Sequence, residues 1–117
     1  MTKTIVALDL ETTGLEPDRD AIIEIGAIRF KGDRVEAEFS TLVNPGRKLS
    51  PFITRLTGIT DAMLVNAPRL PALLPKLEAF VGDSPVLGHN VQFDLGFLRA
   101  RSALRYNDAI DTYDLAS

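Results

Sequence analysis

From Thr4 to Val43 the chain passes through three β-branched, apolar stretches, and beyond Pro51 its hydrophobic spacing becomes helical. That order restricts the fold to strands that pair with their sequence neighbours first, followed by strands joined through helices. The run Thr4–Asp9 predicts a buried strand, and Thr12–Asp20, with Gly14 and Pro17, predicts a loop. Ala21–Phe30 and Val35–Val43 predict two more strands, with Lys31, Gly32 and Asp33 as an antiparallel hairpin turn. Ser50 before Pro51 and Thr60 before Asp61 are helix-start signals, so two short helices are expected between Pro51 and Val65. Leu70, Leu73, Leu74, Leu77, Phe80 and Val81 fall at helical spacing, with Pro71 and Pro75 expected in the first turns. Pro85–Gly88 predicts a strand, and from Asn90 the positions Val91, Phe93, Leu95, Phe97, Leu98 and Leu104 predict a helix. Ala109 and Ile110 form a brief strand before Asp111, and Thr112 is expected to cap a helix starting at Tyr113. The sum is an α/β chain with a mixed five-stranded sheet.

A chain of 117 residues supports one core, so residues 1–117 are expected to form a single domain. With 45% hydrophobic and 25% charged residues it is not a disordered segment. The absence of cysteine excludes disulfides and thiolate metal sites. No apolar run approaches the ~20 residues that span a bilayer, and the first residues do not read as a signal peptide, so a cytoplasmic protein is expected. The net charge of −3 argues against holding nucleic acid by bulk electrostatics. It is compatible with a carboxylate cluster that meets phosphate through bound cations.

Two constellations could carry chemistry. Asp9 and Glu11, two apart at the end of the first strand, share a face. Either the strand has ended and both are solvated, or they form part of a site for a hard cation that prefers oxygen ligands. The second constellation is Gly88-His89-Asn90-Val91-Gln92-Phe93-Asp94, at a strand-to-helix junction with unsatisfied backbone N–H groups. There Asn90 can cap the helix and His89 can face a cleft. Asp94, one turn on, is either an exposed charge complementing the helix dipole or a site carboxylate.

The run Ala7-Leu8-Asp9-Leu10-Glu11-Thr12-Thr13-Gly14-Leu15 resembles the first motif of the DnaQ-like (DEDD) 3′→5′ exonucleases, and Gly88 to Asp94 resembles the second. Glu24-Ile25-Gly26 and Thr57-Gly58-Ile59-Thr60 fall between them in matching order, so the resemblance covers essentially the whole chain. It implies a ribonuclease H-like fold and hydrolysis of phosphodiester bonds at a 3′ end of DNA, as in replication proofreading or repair. Two divalent cations, Mg²⁺ or Mn²⁺ about 4 Å apart, would clamp the scissile phosphate. Carried over residue by residue, the resemblance makes Asp9 the ligand shared by both ions, Glu11 a ligand of one and Asp94 of the other. It places the terminal nucleotide against Thr12, Leu15, Leu56 and Thr57, with Leu15 as an apolar wedge. His89 goes with the second motif, Asn90 to a phosphate or a helix cap, and Phe93 beneath the site in the core or against the sugar.

The family's third motif, a general-base histidine followed by a fourth carboxylate, is not among these residues, because the only histidine is His89. Asp111 in Asp111-Thr112-Tyr113-Asp114 resembles instead the family's strand-to-helix junction. The expectation is therefore a partial domain without the C-terminal helices and with little activity of its own. The open sheet face is expected near Leu104, Tyr106, Ile110 and Leu115, where a second copy could pair. The implied partners are a single-stranded or frayed 3′ DNA end, and a polymerase or fused helicase, since Asn44-Pro45 and Phe52 to Met63 look most like polymerase-borne and DinG-type domains. An RNA-trimming exonuclease of the same family, or a non-catalytic module that binds nucleic-acid ends or a partner, are the alternatives.

Overall fold

A computed structural model describes residues 3–115, and within helix α5 the side chains of Asp114 and Leu115 lie outside that description. Three strands open the chain: β1 (Thr4–Thr12), β2 (Ile22–Lys31) and β3 (Arg34–Leu42). Helices α1 (Pro51–Thr57), α2 (Asp61–Leu64) and α3 (Leu70–Val81) follow, then β4 (Val86–Gly88), α4 (Val91–Arg99), β5 (Ala109–Asp111) and α5 (Thr112–Leu115). The strands form one sheet in the order β3-β2-β1-β4-β5. The hairpin-linked pairs β1–β2 and β2–β3 are antiparallel, while β1–β4 and β4–β5, reached through helices, are parallel. This is the mixed five-stranded sheet predicted from the sequence, because turn-length connections force antiparallel pairing and helical crossovers permit parallel pairing.

The core lies on one side of the sheet. Val6, Leu8 and Leu10 of β1 point there with Ile25 and Ala27 of β2, under Leu73, Leu77 and Val81 of α3 and Val91, Leu95 and Leu98 of α4. A second cluster, Ile23, Ile53, Ile59 and Leu64, seats α1 and α2 beside the end of β2. Ser50 caps α1 by accepting from the Ile53 N–H at 3.2 Å, and Thr60 caps α2 through the Met63 N–H, as the sequence signals required. Among the described residues no helix is long and apolar enough to cross a membrane.

The details differ from the sequence reading in four places. β1 continues to Thr12, so Glu11 belongs to a paired strand and is not a solvated loop residue. Pro75 is the sixth residue of the 12-residue α3, inside the helix and on its exposed face. α4 ends at Arg99, and Leu104 sits beyond it in a left-handed turn (φ 50°), wholly buried. Leu104 therefore belongs to the core and not to an open face. The less covered side of the sheet is the opposite one, where Ile5, Ala7, Ile28, Leu87 and Ile110 all retain exposure.

Candidate active site

Alternation along β1 sends Leu8 and Leu10 into the core and turns Asp9 and Glu11 to the other face. The antiparallel register sets Asp9 opposite Gly26 and Glu11 opposite Glu24. Asp9 therefore meets no side chain directly across the ladder, whereas two like charges oppose each other at Glu11–Glu24, an arrangement that destabilises a sheet. Burial pushes the Glu11 carboxyl above the ordinary range, and the charges of Asp9 and Glu24 add to the rise.

Asp94 comes to the same place from the first turn of α4. It is the one charged residue buried among those described, only 6% exposed, so the exposed-charge reading fails. Its carboxyl is pushed up to about 7, first by burial and then by Asp9 and Glu11, against a hydrogen bond from the Leu10 N–H that favours the ionised form. The charge of Asp9 raises both Glu11 and Asp94, and that of Glu11 also raises Asp94, so the three carboxylates lie within electrostatic reach of one another. Among the described residues no three acidic or histidine side chains are closed into a ready cation-binding group. An all-oxygen set of mutually repelling carboxylates, one of them buried, nevertheless fits Mg²⁺ or Mn²⁺, whose charge would offset both repulsion and desolvation.

The segment before Asp94 behaves differently from its expectation. Asn90 adopts a left-handed conformation (φ 59°), and its side chain makes no capping bond. Asp111, from the end of β5, takes that role. Its Oδ1 accepts from the Asn90 N–H at 2.8 Å and from the Tyr113 N–H at 3.0 Å, and its Oδ2 accepts from the Val91 N–H at 3.1 Å. Desolvation works to raise the Asp111 carboxyl, but these three N–H donors, with His89 nearby, outweigh it and hold the group below its ordinary value. Asp111 thus starts both α4 and α5, so Thr112 does not cap α5 as expected. His89 is exposed, with Nδ1 3.2 Å from Thr112 Oγ1 and its ring edge-on to Tyr113 at 5.4 Å. Gly88 is needed here, since a Cβ would stand 3.0 Å from Val91 Cγ2 and 3.2 Å from the Leu8 carbonyl oxygen.

A cavity of about 450 Å³ opens beside Glu11, lined by Thr12 at the end of β1, Leu15 in the loop after it, Phe52, Leu56 and Thr57 of α1, and Phe93 of α4. Five residues expected at the substrate site, Thr12, Leu15, Leu56, Thr57 and Phe93, thus meet in one place, while His89 and Asn90 do not line it. Phe93 also packs on the core, 5.1 Å from the Phe97 ring, so it serves as floor and as core. Leu15, Phe52 and Leu56 are 76%, 61% and 68% exposed, an unusual density of open apolar surface. The loop that presents Leu15 folds over Asp20, whose carboxylate accepts from Thr13 Oγ1 at 3.1 Å and from the Glu16 N–H at 2.9 Å. Gly14 makes room for it, since a Cβ there would collide with that carboxylate.

Sequence reasoning did not single out Glu24, Phe52 or Asp111 for these positions. The strand register could have found Glu24, and helical spacing from Leu56 could have found Phe52. Nothing local marks Asp111 as a cap for a helix that starts 20 residues earlier.

The exonuclease family model matches residues 6–117. The PolC-type DNA polymerase III of Thermotoga maritima is 45% identical over 96 residues, covering 82% of this chain and 7% of that protein. The epsilon subunit of DNA polymerase III from Aquifex aeolicus is 43% identical over 95 residues, covering 81% of this chain and 47% of the subunit. E. coli exonuclease I, solved with a dT13 oligonucleotide, superposes with a TM-score of 0.83 over 99% of this chain and 29% of its own, at 21% identity, a likeness of fold. The chain thus spans about half or less of these relatives, and a match over residues 6–117 places it in the DnaQ-like exonuclease family.

Proposed function

We propose that this domain removes nucleotides from the 3′ end of single-stranded or frayed DNA, with two divalent cations held by Asp9, Glu11 and Asp94. The observation that carries this reading is the apolar cavity beside Glu11, walled by Leu15, Phe52 and Leu56 and large enough for one nucleotide. Leu15 and Leu56 flank the terminal base, Thr12 and Thr57 border its sugar, and the carboxylates lie where the last phosphodiester would rest. When bound, the cations supply water activation and stabilise the leaving oxygen. Asp9 would serve both ions, and Glu11 and Asp94 one each. Because the relatives named are parts of DNA polymerase III, a polymerase is the proposed partner.

His89, the only histidine, faces Thr112 and Tyr113 and does not line the cavity beside Glu11, so we assign it no general-base role. These 117 residues alone are therefore expected to hydrolyse DNA about 10²–10⁴ more slowly than a domain supplying that base. Calorimetric titration of thymidine 5′-monophosphate with and without Mn²⁺ tests the reading. Binding that requires Mn²⁺ and weakens in Leu15→Ala supports it. Binding indifferent to both would count against it.

A further inference from the structure

On the far side of the loop that carries Leu15 lies a second cleft, about 200 Å³, lined by Arg47, Arg69 and Arg101 and by no carboxylate. In a chain of net charge −3 this is a local concentration of positive charge. The only ion pair among the described residues is Arg29–Glu36, so none of the three arginines has a carboxylate within pairing distance. Burial and the neighbouring Arg47 both disfavour the charged form of Arg101, with Asp18 the only countercharge acting on it. The cleft is built to persist despite that repulsion. Arg101 donates to the carbonyls of Pro17, Asp20 and Phe97 at 3.2, 2.7 and 2.9 Å, which anchors it under the loop. Arg47 donates to the Arg19 carbonyl at 2.7 Å, and a backbone bridge between Asn44 and Arg69 holds the other wall. Three guanidinium groups around a cavity lined by no carboxylate, two of them anchored by backbone carbonyls, form an anion site, and forked donors of this kind match phosphate.

The same two chain segments serve both clefts with different residues: Thr12, Leu15, Phe52 and Leu56 line the cavity beside Glu11, and Ala21, Asn44 and Arg47 line the arginine cleft. Thr13 and Ala21 are hydrogen-bonded to each other across the loop, 2.8 Å from N–H to carbonyl, so the sites are a single loop's width apart. We propose that the arginine cleft holds a backbone phosphate of the same DNA strand whose 3′ end occupies the cavity beside Glu11. This rests on the exonuclease reading, and it gives an acidic domain a local grip on the strand away from the cations.

The test uses the 117-residue chain and two probes in the presence of Mn²⁺. One is thymidine 5′-monophosphate, which reaches only the end cavity. The other is an oligothymidylate of about eight nucleotides with phosphorothioate linkages, long enough to reach both. Arg47 and Arg69 are exposed, so the double variant Arg47→Gln/Arg69→Gln should fold, and far-UV circular dichroism checks that it does. The expected result is an oligonucleotide affinity lowered about tenfold more than that of the mononucleotide. The slope of log K against log salt should also flatten by about 0.7, the value for one phosphate contact on a single strand. Arg47→Lys/Arg69→Lys should recover the slope. Equal losses for both probes, or an unchanged slope, would overturn the cleft proposal and leave the exonuclease reading intact. A slope that follows the arginines while mononucleotide binding ignores Mn²⁺ would keep the cleft and sink the exonuclease reading. Inorganic phosphate that binds through these arginines without competing with the oligonucleotide would mark a free-anion site and overturn the strand assignment.

Discussion

Asp94 is the residue whose surroundings do most to define the site. A carboxyl raised on folding holds its proton more tightly in the folded chain than in the unfolded one. Its favourable contribution is therefore complete below the unfolded value near 3.8 and lost as the pH rises to about 7. Glu11 shifts in the same direction. The cation-free domain should thus resist urea better at pH 5 than at pH 8, with a slope of at most about 1.4 kcal/mol per pH unit from Asp94. Asp94→Asn should flatten that dependence, and Mn²⁺ should restore resistance at pH 8. A variant as pH-sensitive as the parent would place the titration elsewhere. Asp9 gives the second expectation at this scale, because a ligand shared by two ions cannot be spared. Calorimetry should find most Mn²⁺ binding gone in Asp9→Ala, and unchanged affinity would refute its proposed role. The motif residues around these carboxylates were readable from sequence; Glu24 was not assigned a place there, because its proximity to Glu11 comes from strand register.

At the scale of elements, the site depends on how short helices are started. α1 presents Phe52, Leu56 and Thr57 to the cavity and is held at its start by the Ser50 hydroxyl. Ser50→Ala should cost about 1 kcal/mol of stability in urea unfolding and weaken mononucleotide binding as that wall frays. No loss in either measurement would mean that the second core cluster alone positions α1. Asp111 has a wider reach, since one carboxylate accepts from the starts of α4 and α5. Asp111→Ala should lower the unfolding midpoint and, by loosening the turn that delivers Asp94, weaken Mn²⁺ binding. Asp111→Asn, which keeps one acceptor oxygen, should fall between. An alanine variant with native cation affinity would show that packing of Val91 and Leu95 alone places Asp94.

The whole domain is asymmetric. One side of the sheet is sealed by α3 and α4, while Ile5, Ala7, Ile28, Leu87 and Ile110 keep exposure on the other. Apolar surface of that kind seeks cover. The described domain is expected to self-associate through it, so sedimentation at rising concentration should show growing mass that Ile28→Asp suppresses. A monomer at every concentration would show the face to be adequately solvated. The sequence reading placed this face near Leu104, Tyr106, Ile110 and Leu115; Ile110 does lie on it, whereas the inclusion of Leu104 is an error of the same origin as the overlong α4. A buried leucine after a helix has helical spacing whether or not the helix continues, and only the left-handed turn at Leu104 separates the cases.

Local sequence determined a good deal. The three opening strands, the caps at Ser50 and Thr60, the helical spacing of α3 and the two motifs bearing Asp9, Glu11 and Asp94 all rest on contacts within a few residues, which pattern and propensity report directly. Tertiary structure decided the rest. It set Glu24 beside Glu11, put Asp111 under a helix 20 residues earlier in the chain, buried Asp94, brought Leu15 and Phe52 to opposite walls of one cavity, and gathered Arg47, Arg69 and Arg101 around another. These depend on strand register and on the packing of distant segments, which are properties of the assembled sheet and which no short stretch of sequence encodes alone.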